Sequence, residues 1–434
     1  MADKALLTPF AAAADSRDTG PRTPHPGTAP ATQGGPTMTA TAEQTPVPYP
    51  FNEPDGLGLA DAYRQALERP GLIRVQLAYG EPAWLATRYA DARLVLGDRR
   101  FSRAEALRHD EPRQSEGRQD SGILSMDPPG HTRLRTLVAK AFTVHQVEKL
   151  RPAVRALTHD LLDRLEAQGP PADLVEDFSL PIPVAVICRM LGVPEEDRPR
   201  FRVWSDAALS TSSLTAEEFL RSRDELRAYM RLLIEDHRRR PRPDLMTGLI
   251  EARDTGDRLD EQELVDLCVG ILVAGHETTA TQIPNFVHAL LDHPDQARLL
   301  RERPELIRGA VEELMRFVPL GSGAGFPRYA TEDVEVGGTL VRAGEPVLVA
   351  VGAANRDALR FDAPGRLDVT RTGVQHLGFG HGVHHCLGAP LARLELQEAL
   401  EALLVRLPGL HLAGDVAWKN RMLVRGPRIM PVGW

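Results

Sequence analysis

Between His376 and Gly388 the chain reads HLGFGHGVHHCLG, four histidines and one cysteine in thirteen residues. Side chains of these types bind metals, and zinc is the first ion to weigh. A structural zinc site needs four ligands that converge, but His384, His385 and Cys386 are neighbours in the chain and point different ways. A second cysteine at short range is also missing, so zinc is set aside. One axial thiolate fits better. Cys386 stands just before GAPLARLELQEALEALLVRL, where Leu391, Leu394, Leu400, Leu403, Leu404 and Leu407 mark an amphipathic helix. A thiolate at the mouth of a helix is stabilised by the dipole and by free N–H groups. Glycines at 378, 380, 382 and 388 let the backbone lie against something flat, and a flat cofactor held by one thiolate is heme.

A second constellation is AGHETTA, residues 274–280, in the middle of an apolar run. An acid beside a hydroxyl, Glu277 and Thr278, is costly in such a helix unless both are hydrogen-bonded. A proton path would justify that cost; a capped or bent helix is the plainer reading. A third is Glu313-Leu-Met-Arg316, an acid and a base three apart on one helical face, a common arrangement with little meaning alone. In MDPPGHTRLRTLVAKAF, His131 and Arg135 lie four apart at a helix start, and Arg328 stands in FPRYATEDV.

These residues must be carried by a large body of chain. The sequence has 434 residues, 42% hydrophobic and 26% charged, enough for a substantial core. A net charge of -8 gives no reason to expect nucleic acid as a partner. Cys188, Cys268 and Cys386 are too far apart for a disulfide framework and suit a reducing cytoplasm. Residues 1–45 hold few large apolar side chains, no signal-length apolar run and no membrane anchor; disorder is expected there. Residues 1–37 read equally as working chain or as an extension upstream of Met38.

From residue 46 a single domain is expected, mainly α with smaller β regions. Short helices are predicted at 59–67 and 89–100, a hairpin at 75–88 and an irregular stretch at 101–125. Helices then follow one another to residue 317. The longest, about Asp260 to Leu291, has Asp260 as cap and a centre too apolar for a surface. Pro284 is expected to kink it. Strands return at 333–352, with a glycine turn at 337 and 338.

With these segments in place, Phe379-Gly-His-Gly-Val-His-His-Cys386-Leu-Gly388 resembles the cysteine-loop signature of cytochrome P450 monooxygenases, and the other motifs match that family in order. The likeness covers residues 46–434 and leans toward soluble bacterial members that tailor actinomycete secondary metabolites, as in antibiotic biosynthesis. It implies the P450 fold, with heme b sandwiched between a long distal helix and a proximal cysteine-loop helix. It makes Cys386 the iron ligand, Phe379 its flanking ring, and His131, Arg135, Arg328 and His384 the propionate partners. Ala274, Gly275, Gly380 and Gly388 would border the cofactor. Thr278 and Glu277 would organise water and protons on the distal side. Glu313, Arg316 and Arg366 would form a structural triad behind the cysteine loop, while His376 and His381 read as loop polar residues and His385 has no assigned task.

The resemblance further implies a monomer that uses O2 and takes electrons from a ferredoxin and ferredoxin reductase, with NADPH or NADH as ultimate donor. Arg133, Lys140 and Arg393 are candidates for the docking face. The substrate is expected to be a bulky apolar small molecule of macrolide or polyketide type, hydroxylated or epoxidised. Ile271, Gly323, Ala324, Met422 and Leu423 are the candidate pocket residues. Alternatives are a terpene, steroid, peptide-derived metabolite or xenobiotic as substrate, a peroxide-using heme-thiolate enzyme, or a heme-binding sensor or carrier.

Overall fold

A computed structural model describes residues 45–52, 55–116, 122–209, 215–254, 259–321, 323 and 325–434. The expectation for residues 1–45 falls almost wholly outside them, as do Ala324 and part of the stretch at 101–125.

The organising element is the helix Glu261–Leu291, 31 residues and so about 46 Å long. Asp260 starts it through a capping box: its carboxylate accepts from the Glu263 N–H at 2.7 Å, and the Glu263 carboxylate accepts from the Asp260 N–H at 2.9 Å. Pro284 lies inside the helix, which continues past it to Leu291. Leu264, Val265, Cys268, Leu272, Ile283 and Phe286 are all buried and belong to the largest apolar cluster of the protein. The helix packs on Pro181–Met190, Ala216–Arg239 and Ala389–Arg406. Gly275 makes the first of these contacts close, because a Cβ there would lie 2.9 Å from Ile187 Cδ1.

Strands form a smaller layer. One six-stranded sheet has the order Val47–Pro48, Ile73–Gln76, Ala83–Ala86, Pro346–Val349, Arg328–Ala330 and Phe101–Ser102. Its second and third strands are the antiparallel hairpin, with Ile73 opposite Leu85. This sheet brings the chain around residue 102, early in sequence, beside Arg328, with Ser102 opposite Tyr329. Val334–Val336 and Thr339–Val341 form a separate hairpin, and Gly337 and Gly338 at its tip have φ of 58° and 85°, which favours glycine. Near the C-terminus Ala417–Trp418 pairs with Pro427–Ile429, leaving residues 419–426 as a tip.

That tip is stitched to two other segments. Gly321 and Val424 form an isolated bridge, and the Arg425 N–H donates to the Leu320 carbonyl at 2.7 Å. Asn285, on the long helix, donates from Nδ2 to the Arg425 carbonyl at 2.9 Å. Segments distant in sequence, the described residues of 320–326 and 419–426, therefore make one rim. Among the described residues no helix is long and apolar enough to cross a membrane.

Candidate functional site

The long helix is buried through its middle except along one stripe. Gly270 and Ala274 are exposed and Thr278 is partly so, each four residues after the last, so this face opens on a cleft. Thr278 donates from Oγ1 to the Ala274 carbonyl at 2.9 Å. Ile271 is buried at the edge of the stripe, and Gly275 faces Ile187 instead.

Cys386, at the end of the loop 376–386, is exposed. Gly380 has a φ of 74° and lets the loop reverse, and the Cys386 N–H then donates to the Phe379 carbonyl at 2.8 Å. Gly382, with a φ of 72°, is needed for a second reason as well: a Cβ there would lie 2.5 Å from the Leu96 carbonyl oxygen. Gly388 faces open space at the start of the helix Ala389–Arg406. Surrounding protein raises the pKa of the thiol through burial, while the N–H groups of Gly388 and Ala389 and the guanidinium groups of Arg135 and Arg393 pull it down. Arg135 also fixes the loop directly, donating from Nη2 to the His385 carbonyl at 2.7 Å.

Beside the cleft lies a concentration of positive groups. Arg103, His131 and Arg328 are buried, and the rings of His131 and His384 stand 4.3 Å apart. Burial, reinforced by Arg328, lowers Arg103 to about 10; burial alone lowers Arg328 to about 10. Burial, with His131, Arg328 and Arg103 beside it, pushes His384 down to about 3. Asp127 is the carboxylate among them, and it is turned to the Arg103 N–H and the Ser102 hydroxyl. Among the described residues His131 Nδ1 and His384 Nε2 are buried without a hydrogen-bond partner. Buried polar atoms left unpaired cost free energy unless a ligand completes them. The two carboxylates of a heme, whose iron Cys386 would hold, would match this set of basic groups in charge and chemistry.

The acid and hydroxyl of the long helix do not share a face. Glu277 is 3% exposed, because adjacent helical residues are turned by about 100°. Its carboxylate is in contact with Lys419 Nζ, and Lys419 also donates to Thr281 Oγ1 at 2.6 Å. Both side chains of this ion pair are 4% exposed. Glu277 therefore lies behind the cleft wall that Thr278 forms, tied to the rim.

Behind the cysteine loop, Arg316 donates twice to Glu313 at 2.7 Å and also to the carbonyls of Asn355, Pro364 and Arg366. The expected third member of this triad requires a correction. The side chain of Arg366 is 71% exposed and pairs with Asp368. Arg371 supplies the second guanidinium, 3.1 Å from Glu313 Oε2. The two arginines are five apart in irregular chain, and only the path of that chain decides which one turns inward. His376 is no bystander either, since its side chain is 2% exposed and Nε2 lies 3.2 Å from Glu312. His381 accepts from Arg93 Nε at 3.2 Å.

Of the remaining pocket residues, Gly323 has a φ of 117° and is walled by Tyr63 and Pro50. It lines a cavity of about 250 Å³ that also touches Leu320, Val349, Gly378 and Val424. This cavity runs between the rim and the cysteine loop, beside the cleft rather than within it. Met422 and Leu423 are half-buried at the tip. Sequence reasoning missed Arg103, Glu312, Arg371, Glu395 and Lys419. Lys419 left a trace, being one of four lysines among 52 basic residues. A compact ammonium fits a slot that a planar guanidinium does not.

Comparisons with known proteins identify the family. The profile of the family described as Cytochrome P450 matches residues 195–408. Mycinamicin IV hydroxylase/epoxidase of Micromonospora griseorubida is 54% identical over 392 residues, covering 90% of this chain and 99% of that protein. Nocardicin C N-oxygenase of Nocardia uniformis subsp. tsuyamanensis is 49% identical over 391 residues, 89% of this chain and 98% of that one. Among solved structures, the mixed-function P450 MycG superposes with a TM-score of 0.84 at 54% identity, covering 90% of this chain and all of the other (100%). HinD with NMFT and NO gives 0.87 at 49% identity, with coverage of 90% and 100%.

Proposed function

The chain belongs to the cytochrome P450 family, and from that premise we propose that it hydroxylates or epoxidises a bulky, mainly apolar natural product of the macrolide or polyketide class. Heme b, held through Cys386, supplies the activation of O2 and the transfer of one oxygen atom to the substrate. The observation that carries the reading is the exposed thiol of Cys386 two residues after His384, whose ring joins His131 in a basic cluster with Arg103 and Arg328.

The residues of the chain divide the remaining work. His131, Arg328 and His384 take the cofactor carboxylates, and Arg135 holds the His385 carbonyl and so the loop that presents the sulfur. Thr278 keeps water ordered on the cleft face through its hydroxyl, and Glu277 with Lys419 and Thr281 forms the store of protons behind it. The rim of 320–326 and 419–426 closes over an apolar substrate and excludes bulk water. Mycinamicin and nocardicin oxygenation are the named activities of the two relatives above, which supports a natural-product substrate. Electrons come from a ferredoxin and its reductase in the cytoplasm, since the sequence carries no G-x-G-x-x-G nucleotide fingerprint after a strand.

The test is a binding and turnover screen on the purified heme protein. Macrolactones and other polyketides should shift the iron to high spin and yield products heavier by one oxygen atom with ferredoxin, reductase and NADPH. A shift with small planar aromatics only would overturn the substrate class. Turnover with hydrogen peroxide equal to that with the electron-transfer proteins would overturn the monooxygenase assignment.

A further inference from the structure

Glu312 lies beside Glu313 on the helix Ile307–Phe317, yet it joins a different network. Its Oε1 accepts from Arg393 Nε at 2.7 Å, and its Oε2 accepts from Arg393 Nη2 at 2.9 Å and faces His376 Nε2 at 3.2 Å. His376 Nδ1 accepts from the Gly378 N–H at 2.9 Å, which leaves Nε2 to donate to Glu312. Arg393, on the helix that begins after Cys386, places its guanidinium 4.5 Å from the centre of the Phe379 ring. Phe379 in turn accepts the Cys386 N–H. One carboxylate thus ties together a helix, the entrance of the cysteine loop and the helix that leaves it.

The charges in this network lie next to the cysteine. Arg393 stands over the ring of Phe379, whose carbonyl accepts the Cys386 N–H, and Arg135 donates to the carbonyl of His385, one residue before Cys386. Arg135 has no carboxylate partner among the described residues, whereas Arg393 is closed by a bidentate pair. Burial would raise Glu312, but His376 and Arg393 hold it at about 2, so its negative charge is permanent in working conditions.

We propose that Glu312 is a positioning residue that sets the charge felt at the Cys386 thiolate by neutralising Arg393, and so keeps the reduction potential of the bound iron low. The inference rests on the heme-thiolate reading above. A bare cation near the sulfur favours the added electron, and an unpaired anion opposes it. Removing either partner must therefore move the potential in opposite directions, which a purely structural brace would not do.

The experiment is a spectroelectrochemical titration of the heme-loaded, substrate-free protein as wild type, Glu312→Gln, Arg393→Gln and the double variant. The expected result is an upward shift for Glu312→Gln, a downward shift for Arg393→Gln and a return close to wild type when both are changed. Shifts of one sign, or no shift, overturn the proposal provided the reduced protein with carbon monoxide keeps its far red-shifted band. Should Arg393→Gln lose that band, Arg393→Lys and Glu312→Asp retain both charges and must leave the potential near wild type; a shift there as large as in Glu312→Gln overturns it. A wild type without the band overturns the heme-thiolate reading itself, a failure separable from that of the Glu312 proposal.

Discussion

Behind the cysteine loop, Glu313 and Arg316 are fully buried and their charges meet in a closed set of hydrogen bonds. Across the cleft, Phe326 and Leu124 stand 41% and 39% exposed. They are held by their main chain: Arg103 donates to the Leu124 carbonyl at 2.9 Å and to the Pro327 carbonyl, with its guanidinium 4.7 Å from the Phe326 ring centre. The cysteine side spends side chains on fixing backbone, and the rim uses backbone to present side chains. A thiolate must sit at one place for any substrate, whereas a rim that fixes only its main chain can change its side chains without changing its path.

The difference is largest at Arg316. Changing it to Leu removes five hydrogen bonds and leaves Glu313, with 0% side-chain exposure, only Arg371 and the Asp368 N–H as partners among the described residues. Breaking a buried pair from one side costs about 3–5 kcal/mol. Arg316→Leu should therefore yield little folded heme protein, read as absorbance of the heme band per mole of chain. Arg366→Ala should be near neutral, because that side chain is on the surface.

One buried pair sits on the rim side and tests the contrast there. Lys419→Met would leave Glu277 buried against Thr281 only. Unfolding by urea should show a loss of about 3 kcal/mol, largely recovered in Lys419→Met with Glu277→Gln. Substrate-bound turnover should in addition form less product per NADPH consumed. If the loss matched that of Arg316→Leu, the two sides would not differ as described.

Between the two sides stands Glu395, on the C-terminal helix and 1% exposed, with Thr279 of the long helix as its neighbour. Burial raises its carboxyl to about 8, against the small opposing effect of Thr279. The folded chain therefore keeps a proton that the unfolded chain releases near the ordinary Glu value. Its contribution to stability is full below that value and is lost as pH rises toward 8, at up to about 1.4 kcal/mol per unit. Glu395→Gln should flatten this slope in urea melts between about pH 5 and 8 and leave the variant the more stable at the upper end. An unchanged slope would show that Glu395 is ionised in the fold.

Much of the cysteine side was legible in sequence because its chemistry is local. The loop 376–388, the pair Glu313 and Arg316, and the capped long helix are short-range patterns of spacing and polarity. Arg371 was not, since two arginines in an irregular stretch offer no periodicity to choose between them. Arg103 and Lys419 depend on contacts that join residues 102 to 329 and 277 to 419, distances no motif spans. The burial of Glu277 was in principle readable, because helical neighbours cannot face the same way; the attraction of an adjacent acid and alcohol hid that constraint.

The smallest effect concerns the surface around the cysteine loop. Arg133, Lys140 and Arg393 were the candidate cations for a ferredoxin, but two of them are already paired within the chain. Arg133 donates from Nη1 to Glu263 at 3.0 Å, and Arg393 is held by Glu312. Lys140 is exposed at the end of the helix Gly130–Ala139 and makes no ion pair among the described residues. A free surface cation steers an acidic partner more than one whose field a neighbouring carboxylate cancels. Lys140→Gln should slow reduction by ferredoxin about 2- to 5-fold at low ionic strength, and Arg133→Gln by less, with both differences vanishing in high salt. Stopped-flow reduction at two salt concentrations measures this. A larger effect for Arg133 than for Lys140 would mean that its pair with Glu263 opens when the partner docks, and that the cysteine side, closed within, is adaptable at its surface.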